Sequence, residues 1–112
     1  MNIQIYGNPK SFDSKKAERY FKERKIRYQW IDLKKYGLSP REFASVRACV
    51  GLSQMIDTKA KEYEASFIAH LAHEEDIVEK LMEYPGLLRT PIVRNGRQAT
   101  VGYCPDIWKT WE

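Results

Sequence analysis

The sequence predicts an α/β domain with a four-stranded mixed sheet, in the order β-α-β, a block of helices, then β-β-α. Two alternating stretches bracket a helix-periodic one in the first third of the chain. A long middle segment then carries helical punctuation and no strand signal. Near the end, Asn95-Gly96 stands between two short strand-like runs, the strongest short-range signal for a hairpin. At 112 residues, 43% hydrophobic and 30% charged, the chain suits one domain over residues 1–112 with a core that needs no disulfide or metal.

Residues 2–6 alternate as a short strand, and the turn Gly7-Asn8-Pro9 follows. Ser14 to Arg24 is helix-periodic: Ala17, Tyr20 and Phe21 share a face and the cations take the other. Asp13 is an N-cap candidate, and Ser11 another if the helix begins earlier. Ile26 to Leu33 alternates again, with Ile26, Tyr28, Trp30 and Asp32 on one side. A helical crossover between two strands implies parallel pairing. Ser39-Pro40-Arg41-Glu42 carries a complete helix start: Ser39 caps, Pro40 takes the first helical position and Glu42 closes a capping box. That helix runs to about Val50 and stops at Gly51. Residues 52–70 read as fragmented helix, and Glu74 to Glu83 as a clean amphipathic one through Ile77, Val78, Leu81 and Met82, ended by Pro85-Gly86. The helical insertion thus spans about 39–84. Thr90 to Arg94 is a strand, Ala99 to Gly102 its return, and Pro105 to Trp111 a closing helix.

No apolar run approaches the roughly 20 residues of a membrane span, and no signal-peptide core follows Met1, so the expectation is a cytoplasmic protein. Cys49 and Cys104 are far apart without metal-ligand spacing. Cys49, among Val46, Ala48 and Val50 on a helix, reads as core. Cys104 lies before Pro105 near a helix start, where an exposed thiol would ionise more readily. His70, His73 and Glu74 would converge poorly on a metal from a single helix turn, so no metal is expected. Tyr103, Trp108 and Trp111 read as core closure, with Trp111 a candidate contact. The net charge of +4 concentrates in the first helix. With no stacking aromatics or nucleic-acid motif beside it, the excess reads as a solvated face, and nucleic acid is not an expected partner.

Three stretches together resemble the ArsC/Spx family, a branch of the thioredoxin-like fold: Ile5-Tyr6-Gly7-Asn8-Pro9 with Ser11 and Ser14-Lys15-Lys16; Met55 to Tyr63; and Pro85 to Val93 continuing to Val101-Gly102-Tyr103. The resemblance covers nearly the whole chain in order, and the last block is especially similar to the Spx regulators. It implies a thioredoxin-like sheet with helices on both sides. It also implies that Ser11 stands at the family's nucleophilic cysteine and Ser14 at the second cysteine of many Spx-type members. Asp57 then replaces an arginine of the middle segment, and Thr90 the basic residue before a late proline. Pro91 corresponds to the fold's cis-proline; an ordinary trans proline opening a strand is the alternative. Arg89 lies one position from Thr90, which along an extended chain points it to the opposite face.

A serine hydroxyl does not ionise near neutral pH as a thiol does, so family-type arsenate reduction with glutathione and glutaredoxin is not expected. The leading expectation is a domain without redox activity that binds a protein, RNA polymerase being the candidate implied by the Spx regulators, or a small thiol. Lys10, Ser11, Lys15, Thr90 and Pro91 are the candidate ligand-binding residues. The alternative is a glutathione-dependent or arsenate reductase-like enzyme, with glutathione held near Ser11 or Cys104 acting as a relocated thiol. Capping is the competing role for both serines. No resident cofactor is expected, glutathione being at most a ligand or co-substrate.

Overall fold

The computed structural model describes all 112 residues. Four strands, β1 (Ile3–Gly7), β2 (Tyr28–Asp32), β3 (Ile92–Asn95) and β4 (Gln98–Val101), form one mixed sheet in the order β2-β1-β3-β4. β1 and β2 run parallel, with Ile3 beside Tyr28 and Gly7 beside Asp32, as the crossover through α1 (Phe12–Glu23) requires. β3 runs antiparallel to both β1 and β4. The connecting segment holds α2 (Leu33–Tyr36), α3 (Pro40–Val50), α4 (Glu62–Ala65) and α5 (Glu74–Glu83), with 3-10 turns at Leu52–Met55, Ile68–His70 and Pro85–Leu87; α6 (Pro105–Lys109) closes the chain.

Alternation along the strands divides the core between the two faces of the sheet. Ile3, Ile5 and Val93 pack with Ala17, Tyr20 and Phe21 of α1 and Trp108 of α6. The Trp108 indole donates to the Thr100 hydroxyl at 2.8 Å, which satisfies two polar groups in that core. Tyr6, Ile92 and Ala99 face the other way, against Phe43 and Val46 of α3, Leu81 of α5 and Met55, Leu87 and Leu88 of the turns. A polar cluster sits within this second layer. The Tyr6 hydroxyl donates to Glu42 of α3, and Arg94 of β3 reaches Glu42 at 3.8 Å and Gln4 at 3.1 Å. Burial first, then the bond to Glu42, pushes the Tyr6 phenol up to about 12.

The α3 start is as read: Ser39 caps, Pro40 opens the helix, and the capping box with Glu42 is formed in both directions. Four expectations change. Ser11 is the cap of α1, because its backbone is extended (φ −85, ψ 126) and its Oγ accepts from the Ser14 amide at 3.2 Å; Asp13 lies inside the first turn. Leu33 begins the short helix α2 instead of ending β2, since the Asp32 carboxylate accepts from the Lys35 amide and turns the chain. The hairpin loop is Gly96-Arg97, with Asn95 paired to Gln98 and the positive φ of 60 falling on glycine. Cys49 is exposed, its thiol donating to the Arg97 carbonyl at 3.1 Å, because the buried face of α3 runs through Phe43 and Val46 and leaves Cys49 to one side. Trp111 is half-buried against the layer formed by α1 and α6.

Candidate functional site

β1 delivers the chain to the site through Gly7, where a Cβ would lie 2.5 Å from the Trp30 ring. A tight turn follows: the Ser11 amide donates to the Asn8 carbonyl at 2.9 Å, and the Lys10 amide to the Asn8 side chain at 2.9 Å. Both serines then accept from backbone amides. Ser11 Oγ takes the Ser14 N–H, and Ser14 Oγ takes the Asn8 N–H at 3.1 Å. Ser14 is fully buried, whereas Ser11 is half-buried and its hydroxyl donates to no protein group.

The facing wall joins the middle of the sequence to its last third. Ile56 bridges Leu88: the Asp57 amide donates to the Leu87 carbonyl at 2.7 Å and the Arg89 amide to the Met55 carbonyl at 2.9 Å. The Thr90-Pro91 bond is cis, and the Gly102 amide donates to the Pro91 carbonyl at 2.8 Å, tying this wall to the end of β4.

Between the walls runs a groove of about 560 Å³, in which Ile56 is the single apolar lining residue. Lys10, Ser11 and Asp13 line one side; Gln54, Asp57, Lys59, Arg89 and Thr90 line the other. A neighbouring groove of about 260 Å³ shares Asn8, Lys10, Asp57 and Thr90 and adds Lys34, Lys61 and Glu62. Carboxylates and cations therefore interleave along the surface. The Asp57 carboxylate accepts from the Lys59 amide at 2.9 Å. Phe12, between two lining residues, is 81% exposed beside the groove.

Of the sequence-derived candidates, Lys10, Ser11 and Thr90 come together here. Pro91 is buried, Lys15 is exposed on α1 and neither lines the groove; Ser14 lies within the helix start. Cys104 opens into a different pocket, which it shares with Cys49. Its thiol is half-buried and donates to the Val101 carbonyl at 3.4 Å. Burial pushes that thiol up, outweighing the pull of the Arg89 charge, so the sulfur is protonated at neutral pH. The expectation of an easily ionised Cys104 held only for an exposed sulfur. His70 and His73 are exposed, and no grouping of three metal-ligating side chains occurs.

Arg89 departs from its expected direction. Strict alternation holds inside a strand, but β3 begins only at Ile92, so Arg89 belongs to an irregular approach and turns into the groove. Its guanidinium donates to the Gln54 side chain at 3.0 Å and passes beside Gly102. Gln54 and Lys59 had no periodic signal to point to them, since they sit in turns.

Comparison with known proteins agrees with this architecture. The ArsC family pattern matches residues 6–111. The chain is 24% identical over 107 residues to the global transcriptional regulator Spx 1 of Bacillus cereus, covering 93% of this chain and 82% of that one. It is 28% identical over 109 residues to Spx 2 of Oceanobacillus iheyensis, covering 95% and 80%. Among solved structures, an arsenate reductase from Vibrio cholerae superposes with a TM-score of 0.83 at 24% identity, covering 96% of this chain and 94% of that one. An ArsC-related protein from Brucella melitensis gives 0.70 at 19% identity, covering 99% and 94%. At these identities the structural likenesses establish the fold, a thioredoxin-like one.

Proposed function

The chain belongs to the ArsC family, and from that membership we propose that it acts by binding a protein partner, without thiol chemistry at the family's usual site. The observation that carries the reading is the use made of the two serines. Both hydroxyl oxygens hold the turn and helix start together by accepting amides. Neither cysteine lines the groove, and burial pushes the Cys104 thiol away from ionisation. A covalent step there has no nucleophile. Phe12 supports a protein as the ligand: an aromatic side chain 81% exposed at the lip offers contact area to a macromolecule and nothing to a small oxyanion. The name shared by the two relatives, global transcriptional regulator, makes RNA polymerase the partner to test first.

The test pairs activity with binding. In an NADPH-coupled assay with arsenate, glutathione and glutaredoxin, neither the protein nor its Ser11→Cys variant turns over. Asp13 and Asp57 remain in the groove of the variant and oppose an anionic substrate. In sedimentation with bacterial RNA polymerase the protein co-migrates, and Phe12→Ala weakens that binding about tenfold or more with an unchanged melting temperature. Turnover by Ser11→Cys, or no co-migration, overturns the corresponding half of the reading.

A small thiol is the second reading, favoured by the half-buried Ser11 hydroxyl, which donates to no protein group, at the N-terminus of the twelve-residue α1. Reduced glutathione would then shift amides of Lys10–Lys15 and Thr90–Ile92 alone. An unchanged spectrum at about millimolar ligand removes this reading.

A further inference from the structure

β2 is an outer strand of the sheet, and hydrogen-bond parity carried across from β3 fixes which of its backbone groups point outward. Gly102 N–H donates to Pro91, so Val93 and Asn95 face β4, whereas Ile92 and Arg94 face β1. Across β1, Gln4 and Tyr6 then turn to β3, and Ile3, Ile5 and Gly7 to β2. In the parallel register Gln29 and Ile31 take the bonds to β1, and Tyr28 and Trp30 present their amides and carbonyls to the outside. No turn, cap or side chain bonds to the backbone between Tyr28 and Ile31. The two aromatic side chains also leave the rim clear. The Tyr28 hydroxyl donates to Glu18 of α1 at 2.7 Å, and the Trp30 ring lies over Gly7 of β1.

We propose that this edge is a second binding surface, taking an extended acidic segment of a protein partner as a fifth strand. The outward amides and carbonyls of Tyr28 and Trp30 supply the main-chain pairing. Tyr28 and Trp30 are half-buried on one face and Gln29 is exposed on the other, which suits a guest that alternates valine and threonine at its centre. Charge selects the occupant. Lys25 and Arg27 stand before the strand and Lys35 beyond it, all exposed and none in an ion pair. Asp32 is the one carboxylate from Lys25 to Lys35, and it is committed to the Lys35 amide as the cap of α2. A second copy of this chain would bring the same cations, so an acidic strand is the better complement. None of these residues lines the Ser11 groove or its neighbour, so the surface is independent of whether that groove binds anything.

The test is an amide NMR and hydrogen-exchange titration of the whole protein with the peptide acetyl-Asp-Glu-Val-Thr-Val-Glu-Asp-amide. The Tyr28 and Trp30 amides shift, and their exchange slows about tenfold or more, whereas the Gln29 and Ile31 amides, bonded to β1, change little. The same peptide N-methylated at its central amides, and one with lysine in place of every acid, each bind about tenfold weaker or worse. The Arg27→Glu variant binds the parent peptide about threefold weaker or worse. The proposal is overturned if the Tyr28 and Trp30 amides do not respond, if either control peptide binds as well as the parent, or if Arg27→Glu leaves the affinity unchanged. It is equally overturned if those amides are already protected in the free protein and sedimentation shows a dimer, because the occupant is then a second copy of this chain.

Discussion

Glu42→Gln tests the polar cluster that ties α3 to the sheet. The substitution keeps an acceptor for the Ser39 amide, now 2.8 Å from Glu42, so the capping box survives. It removes the charge that receives the Tyr6 hydroxyl and faces Arg94, whose Nε is buried without a partner. A hydrogen bond to a charged group contributes about 1.5–3 kcal/mol, so the loss is about 2 kcal/mol. For 112 residues the melting entropy is about 0.24 kcal/mol/K, which converts that loss to about 8 °C in Tm at neutral pH. The pH dependence identifies the cause. Burial pulls the Glu42 carboxyl up, but bonds from Tyr6 and Ser39 and the Arg94 charge outweigh it and hold it below its ordinary 4.5. A lowered folded pKa means stability that is present above 4.5 and lost as pH falls through the folded value. Thermal melts by circular dichroism should therefore show the gap between wild type and E42Q narrowing below that pH and closing in stronger acid. A gap that stays constant down to the acid limit of the fold, or a neutral-pH shift under about 2 °C, refutes the electrostatic account.

Gly7→Ala places a methyl group 2.5 Å from Cη2 of Trp30, and urea melts should register a loss of about 1–3 kcal/mol. Trp30→Leu in the same chain should recover part of it; no recovery means the strain lies elsewhere. Ser14→Ala removes a fully buried hydroxyl and with it the acceptor of the Asn8 amide, and should cost about 1–3 kcal/mol, against about 1 kcal/mol for removing the half-buried cap in Ser11→Ala. If Ser11→Ala is the more damaging in the same denaturation series, the assignment of the buried bond is wrong. Iodoacetamide at neutral pH should label Cys49 well before Cys104, since the first is exposed and the second half-buried and held protonated. Peptide mass mapping that finds Cys104 alkylated first contradicts that.

Local chemistry made the frame legible. Ser39, Pro40 and Glu42 act within one helical turn, and α5 begins at Glu74 and ends at Glu83, where its apolar spacing placed it. Alternation was less selective: Leu33 continues the β2 pattern and is buried as a strand residue would be, yet it sits in α2. The groove was legible in halves. Lys10, Ser11 and Thr90 were reached through family resemblance, whereas Gln54, Lys59 and the inward turn of Arg89 belong to segments without a period. Contacts between remote positions had no sequence signal at all. Tyr6, Glu42 and Arg94 come from β1, α3 and β3, and nothing local to any of them announces the other two. The exposure of Cys49 follows from which face of α3 meets the sheet, which is a property of packing.

The charges of the groove bear on what it suits as directly as the serine at position 11 does. An oxyanion asks for donors and cations from every side. Here Asp13 and Asp57 share the lining with Lys10, Lys59 and Arg89, and Glu62 faces the adjoining groove with Lys34 and Lys61. Near a protein surface a unit charge at ~4 Å is worth about 4 kcal/mol, so one misplaced carboxylate offsets one well-placed cation. The joined lining carries five cations against three carboxylates, so a ligand of a single sign meets repulsion at several points whichever sign it has. A peptide surface carrying both signs meets complementary partners at each point, and the same interleaving rejects surfaces with the wrong order of charges. Placing a thiol at position 11 alone would leave that pattern intact, which is why the proposed protein-binding role predicts no turnover from Ser11→Cys.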